Sequence, residues 1–587
     1  MAPSARELRQ LAEVALGREK ADIVITNGNV VSVHTGEVLE GLSVAIKGER
    51  IAFVGAKAEH TIGPETEVLD VSGRTLLPGF IDGHSHILWY CRPDHFLKHS
   101  MKGGTTTIVS ESGEAFFPLG YDGAVDFYDA VGGQPVKIFF TIPSMLTLSP
   151  IARSHAMTID MAEKLYRRRD VVGLGECISW PAVLAGDSRV LDLFALTISR
   201  GKKIEGHTAG ARGNKLVALA ATGISSCHEP TTADEVLDRL RLGVYVLVRE
   251  GGVRRDLEAI SSIRESGIDF RRLLLATDGL SPSEVLKYGH MEFLVQKAID
   301  LGFEPVTAVQ MATLNVAEHF GLDGDIGSIT PGKYADIVVV PDVRTMRAEY
   351  VFSSGQLVAQ NGVLVRLPRE PVFSDAVRKS VHLDNDFGAR DFDISAGVGA
   401  AVKVRVIDMH TGLVTREKQV EIVSRDGLIG CDPGKDILKV AAIERTHRSG
   451  KRFTGLVSGF GLKSGAIASS DAWDCTDIVV VGADDSDMAL AVNRIVALQG
   501  GMVVCAGGKV LAEWPMPIAG MLSDEPVEAA SQGLASVQQK AMELGCRLAD
   551  AHLSLSMLTT PAVPYLRICE SGLVDIASRQ IVDLVVR

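Results

Sequence analysis

The chain has 587 residues, 46% of them hydrophobic and 23% charged, with a formal net charge of -13 at pH 7. At that length a single core does not suffice, and about three folding units are expected. The acidic balance disfavours nucleic acid, whose phosphates call for a basic surface, and the sequence has no apolar stretch of roughly 18 residues with which to cross a membrane.

In chain order, residues 1–22 (MAPSARELRQLAEVALGREKAD) carry the pattern of an amphipathic helix and lack the uncharged segment of a signal peptide. Eight cysteines (Cys91, Cys177, Cys227, Cys431, Cys475, Cys505, Cys546 and Cys569) are scattered without a C-x-x-C pair. That pattern predicts free thiols in a reducing, cytoplasmic setting. After the helix come short β-like runs with glycine and asparagine turns, and the same texture returns at GSITPGKYADIVVVPD and YVFSSGQLVAQNG. Two distant β segments, 1–74 and 325–374, are therefore expected to build one small β-sandwich around an inserted unit at 75–324. From 375 to 587 the texture changes to mixed strands and helices, after a linker near PREPVFSDAV, and a separate C-terminal α/β domain is expected.

The inserted unit carries eight short apolar runs: TLLPGFID (75–82), TTTIVS (105–110), VKIFFTIP (136–143), VVGLGE (171–176), KKIEGH (202–207), GISSCH (223–228), GVYVLVRE (243–250) and RLLLATD (272–278). Helix-like stretches such as TIDMAEKLYRRRD and PSEVLKYGHMEFLVQKAIDLG separate them. Buried strands alternating with helices imply parallel pairing through βα crossovers. Eight units in roughly 250 residues is the size of a (β/α)₈ TIM barrel. A doubly wound open sheet is the structural alternative.

Barrel enzymes carry their reacting groups at the C-terminal ends of the strands. The polar residues that close these runs form a consistent set. His84 and His86 follow the first, Glu176 ends the fourth, His207 the fifth and His228 the sixth, and Asp278 ends the eighth. Alone, each has a bland reading: a lone histidine is more often a hydrogen-bonded loop residue, and a lone carboxylate more often caps a helix. Together, four imidazoles and two carboxylates at one rim suit a divalent metal such as zinc, iron or manganese, one or two ions per subunit. His84 and His86 alternate along an extended segment, so both can face one ion.

The segments LLPGFIDGHSH, GLGE, GH at 206–207, HE at 228–229, TDG at 277–279 and PGKYADIVVV resemble the amidohydrolase superfamily, and within it the adenine deaminase family. The resemblance continues into GAIASS, GADDSDMALAVN and PAVPYLRICESGLVD, so it covers nearly the whole chain. It implies that His84, His86 and Asp278 hold one metal, that His207 and His228 hold the other, and that Glu176 bridges them. It further implies a small heterocyclic substrate, a homo-oligomer, and attack of a metal-activated hydroxide on C6 of a 6-aminopurine. Asp278 would then carry the proton to the departing amine. Glu229, beside His228, is a candidate supporting residue, and Arg249 and Glu250 are candidate substrate contacts.

The chain departs from the family pattern at three places. A glutamate and two serines expected after His-x-His are replaced here by Leu88, Trp89 and Tyr90. An Asp-Pro-His-Glu after the second strand is replaced by Glu111-Ser112-Gly113-Glu114, which leaves Glu114 to inherit a role in proton transfer. A His-Asp-Ser-His-Asn near the end is replaced by Trp473-Asp474-Cys475-Thr476-Asp477. Leu88 and Trp89 are expected to make the barrel mouth more apolar and to offer stacking. Changes confined to substrate-facing groups keep open an amidohydrolase acting on another amino-heterocycle or a cyclic amide. They also keep open a catalytically silent binding protein.

Overall fold

In a computed structural model that describes residues 3–144, 147–399 and 401–586, the eight runs yield β1 Phe80–Ser85, β2 Thr105–Ser110, β3 Lys137–Ile142, β4 Val171–Cys177, β5 Lys203–Gly206, β6 Ser226–Cys227, β7 Tyr245–Arg249 and β8 Leu273–Ala276. Strands β1 to β5 are parallel neighbours in one sheet, and β6 to β8 in another. The sheets meet at both edges. Ser225 N donates to Ile204 O at 2.9 Å, and Asp278 N donates to His84 O at 3.0 Å. Strand order therefore follows chain order around a closed ring, whereas a doubly wound sheet reverses its order. The chain folds as a TIM barrel.

The run at 75–82 is two strands, not one. Thr75–Pro78 pairs with Ile337–Val340 and Ile23–Ser32, outside the barrel, and β1 begins two residues later. The break falls at Gly79, where an added Cβ would stand 2.2 Å from Thr106 Oγ1. Thr75–Pro78 thus belongs to one continuous nine-stranded sheet that draws strands from both flanks of the barrel. Ile25, Val44 and Ile46 from the first flank share a core with Ile337, Val339 and Phe352 from the second.

The N-terminal helix runs Ala5–Ala15 behind a capping box of Ser4 and Glu7, and it buries Leu11 and Val14. The stretch from Pro282 forms two helices, Pro282–Tyr288 and Met291–Asp300, because Gly289 turns the chain at φ +85°. All eight cysteines are free thiols, and only Cys431 is not fully buried. Among the described residues no helix is long and apolar enough to cross a membrane.

The C-terminal segment forms an eight-stranded sheet from Ala401–Met409 to Lys509–Pro515. The helix Asp485–Leu498 packs against it through Met488, Val492 and Ile495. This domain docks over the C-terminal ends of the barrel strands. Tyr90–Cys91 pairs in parallel with Leu522–Ser523, Trp89 Nε1 donates to Asp471 Oδ2 at 2.7 Å, and Arg92 and Arg378 both reach Asp524, at 3.1 and 2.6 Å. The linker is held down as well: Arg369 donates to the carbonyls of Ala130 and Gly132 at the end of a barrel helix.

Candidate metal centre

The closed barrel brings His84, His86, Glu176, His207, His228 and Asp278 to one rim. All are buried except Glu176, which is partly exposed. Glu176 lies between two groups of imidazoles. Its Oε1 is 3.4 Å from His86 Nε2, while its Oε2 is 2.8 Å from His207 Nδ1 and 3.3 Å from His228 Nε2. Asp278 Oδ1 is 3.2 Å from His84 Nε2 and 3.4 Å from His86 Nε2. Three overlapping sets of donor atoms, each within 4.8 Å of one another, follow: His84 with His86 and Glu176, His84 with His228 and Asp278, and Glu176 with His207 and His228. Asp278 holds this position at φ +55°, a left-handed conformation that a non-glycine residue adopts only where its surroundings enforce it.

The donor set fits a cation. His86 Nε2 is buried and makes no hydrogen bond, although carboxylate oxygens flank it on two sides. The charge balance points the same way. Glu111, Glu114, Glu176, Glu229 and Asp278 crowd the cluster, and Arg249 is the one guanidinium paired into it among the described residues. Buried charge left unpaired is costly, and without an ion the imidazoles must supply the compensation. Burial works against protonation of His84, but Asp278 and Glu176 outweigh it and lift the imidazole to about 9. For His207 burial is likewise outweighed, by Glu229 and Glu176, again to about 9. Burial works to raise the Glu176 carboxyl, yet His207, His228 and His86 hold it well below the usual carboxylate range. Asp278 is held low in the same way by His84 and His86. A centre of this kind suits a divalent metal.

A ring of partners orients these side chains. Glu114 Oε1 accepts from His86 Nδ1. Glu111 Oε2 accepts from Glu176 N at 3.3 Å, and its Oε1 lies 3.6 Å from His84 Nδ1. Burial, opposed by His84 and reinforced by Glu176, pushes the Glu111 carboxyl up to about 8. Glu229 is ion-paired with Arg249 and lies 3.6 Å from His207 Nε2. Burial there is overcome by His207 and Arg249, which hold Glu229 at about 2. Arg249 Nη1 also stands 3.3 Å from Asp278 Oδ2. Beneath the rim, Asp82 accepts from Thr277 Oγ1 at 2.6 Å and lies 3.0 Å from His290 Nε2, which ties β1 to the residue before Asp278.

A cavity opens beside the cluster. Its lining includes His86, Glu111, Glu114, Phe117, Glu176, Ile178 and His207 from the barrel, and Trp473, Asp474, Met521 and Thr560 from the C-terminal domain. Trp473 stacks on His86 with ring centroids 5.1 Å apart and planes inclined by 26°. Burial, reinforced by Glu176 and Glu114 against the hydrogen bond from Thr560, pushes the Asp474 carboxyl up to about 7.

Some expectations need correction. Leu88 and Trp89 do not line the mouth. They are 0% and 3% exposed, and Trp89 packs under the C-terminal domain between Tyr90 and Trp473. Trp473, stacked on His86, lines the cavity in their place. Glu250 turns away from the cavity to Lys297, at 2.7 Å, and Arg249 braces Glu229 and Asp278.

Comparison with known proteins agrees with this picture. Residues 75–358 match the amidohydrolase family, and residues 412–580 match the adenine deaminase C-terminal domain. An adenine deaminase of Moorella thermoacetica is 40% identical over 99% of this chain and 99% of its own. One from Ruegeria sp. is 38% identical over 97% of this chain and 96% of its own, and one from Clostridium botulinum 35% identical over 98% and 97%. The chain belongs to the adenine deaminase family. Within the adenine deaminase frame, the C-terminal match contains Trp473 and Asp474, so the part of the chain most specific to the family also forms a wall of the cavity. Reading along the sequence singled out neither Glu111 as a neighbour of His84 nor Trp473 as a cover over His86. The one available signal was the run of acidic residues directly after β2.

Proposed function

We propose that the chain hydrolyses adenine at C6, giving hypoxanthine and ammonia, at a divalent-metal centre held by His84, His86, Glu176, His207, His228 and Asp278. The observation that carries this reading is Glu176, whose two oxygens face separate sets of imidazoles, in a chain that follows adenine deaminases along almost its full length. His84, His86, Glu176, His207, His228 and Asp278 would hold one or two divalent ions there, with manganese, iron or zinc as the candidates.

A divalent ion held there supplies Lewis acidity and brings the pKa of water toward neutrality. The chain's own groups do the rest. Asp278, ionised and steadied by Arg249 on Oδ2, takes the proton given up as water adds to C6 and passes it to the departing amino group, so that ammonia leaves. Glu114 fixes the ring of His86 through Nδ1, which directs Nε2 inward. Glu229 fixes Arg249 and faces His207. Phe117, Ile178, Trp473 and Met521 give the cavity apolar walls that exclude bulk water.

Purified, metal-replete protein should release ammonia from adenine with stoichiometric formation of hypoxanthine. Stoichiometric metal together with no ammonia at millimolar adenine would overturn the reading. The apolar lining suits flat heterocycles in general, so a panel of pterins, N6-substituted purines and ring amides tests the second reading, another amino-heterocycle as substrate. Glu114→Gln should lower kcat by about 10- to 100-fold, the usual cost of removing a residue that orients a ligand. A silent Glu114→Gln would reduce this carboxylate to a loop residue.

A further inference from the structure

We infer that Asp474 accepts the imidazole N–H of the bound base, so that the residue separating a free purine from its N9-substituted forms comes from the C-terminal domain and not from the barrel. This rests on the purine reading above. Asp474 lines the cavity with Glu114, Glu176 and His207. It stands there at φ +62°, a left-handed conformation for a non-glycine residue. Thr560 Oγ1 donates to its Oδ2. Among the described residues this is the one hydrogen bond its side chain makes, and no cation pairs with it. Asp474 thus lines the cavity with one carboxylate oxygen, Oδ1, that accepts from no protein donor among the described residues.

The neighbouring groups sharpen the assignment. Glu114 and Glu111 also line the cavity, but Glu114 holds His86 through Oε1, its Oε2 being buried without a hydrogen-bond partner, and Glu111 Oε2 accepts from Glu176 N. Their first task is to hold ligands, whereas Asp474 is braced by a hydroxyl alone. Next to it, Trp473 is stacked over His86 and offers a flat ring a surface. A purine seated against that surface, with its 6-substituent toward Glu176, would have the N9 edge of its imidazole at the far end of the ring, on the side of the C-terminal wall. In the free base that edge carries an N–H. In a 9-substituted purine neither imidazole nitrogen has a proton, and Oδ1 meets only a lone pair or an alkyl group. Asp474 is half-buried, and an acceptor that loses its donor discriminates to the extent that water cannot take the donor's place.

The test uses the metal-replete enzyme and pairs turnover with binding. Asp474→Ala should lower kcat/KM for adenine by about 30- to 100-fold, as expected when the N–H of the bound ligand is left without its partner, and should change kcat/KM for 9-methyladenine by less than about threefold. Asp474→Asn keeps a carbonyl acceptor and should recover most of the loss on adenine. Calorimetry with hypoxanthine and 9-methylhypoxanthine reads the same contact without turnover, and Asp474→Ala should weaken only the first. An equal loss on methylated and unmethylated ligands, or no loss on either, overturns the assignment to Asp474. Wild type that binds hypoxanthine in an Asp474-dependent manner but releases no ammonia from adenine upholds the contact and overturns the deaminase reading. Wild type that binds neither purine overturns both.

Discussion

Asp278→Asn is expected to lower kcat for ammonia release on the order of 10³-fold, within the range for loss of a general acid–base group, with fold and metal content close to wild type. The amide keeps the volume of the carboxylate and an oxygen toward His84 and His86. The backbone bond from Asp278 N to His84 O, which closes the barrel at β8 and β1, does not involve the side chain. What disappears is the capacity to take up and release a proton, along with one of the three carboxylate charges that face Arg249, the others being Glu229 and Asp256. Initial rates, metal analysis and near-ultraviolet circular dichroism on the same preparation check the three parts. Turnover within tenfold of wild type would remove Asp278 from the proton path.

Glu176→Gln should do different damage. Both oxygens of Glu176 are engaged, one with His86 and the other with His207 and His228. An amide can offer only one neutral oxygen to the two sets. Metal affinity is expected to fall by more than about 100-fold, beyond the cost of losing a residue that merely orients a ligand. Metal content after dialysis should drop, and activity with it, and excess metal should restore both in part. The two variants thus separate proton transfer from metal retention. A Glu176→Gln enzyme that keeps its metal through dialysis would refute the bridging role.

Much of this architecture was legible in the sequence because barrels write themselves locally. TTTIVS at 105–110 coincides with β2, and VVGLGE differs from β4 by a single residue. The ligand-type residues that end such runs converge simply because strand ends share one rim. The run at 75–82 misled because its apolar character is continuous across Pro78 and Gly79, and nothing local says that its first half pairs with residues some 260 positions away. Trp89 was misread for the same physical reason. An indole beside the rim looks like substrate lining until its partner is known, and that partner, Asp471, lies 382 residues further along. Asp474 and Thr560 are likewise invisible to periodicity, since their meaning depends on a docking surface that no local pattern encodes.

That Thr560 and Ala562 help to wall the cavity has a consequence for synthesis. Domains tend to fold as they leave the ribosome, N-terminal ones first, so the barrel can close around its ligands while most of the C-terminal domain is still untranslated. Such a nascent chain carries a complete set of histidines and carboxylates under open water. A message cut short after the barrel is complete but before codon 560 would leave the ligand set without part of its purine wall.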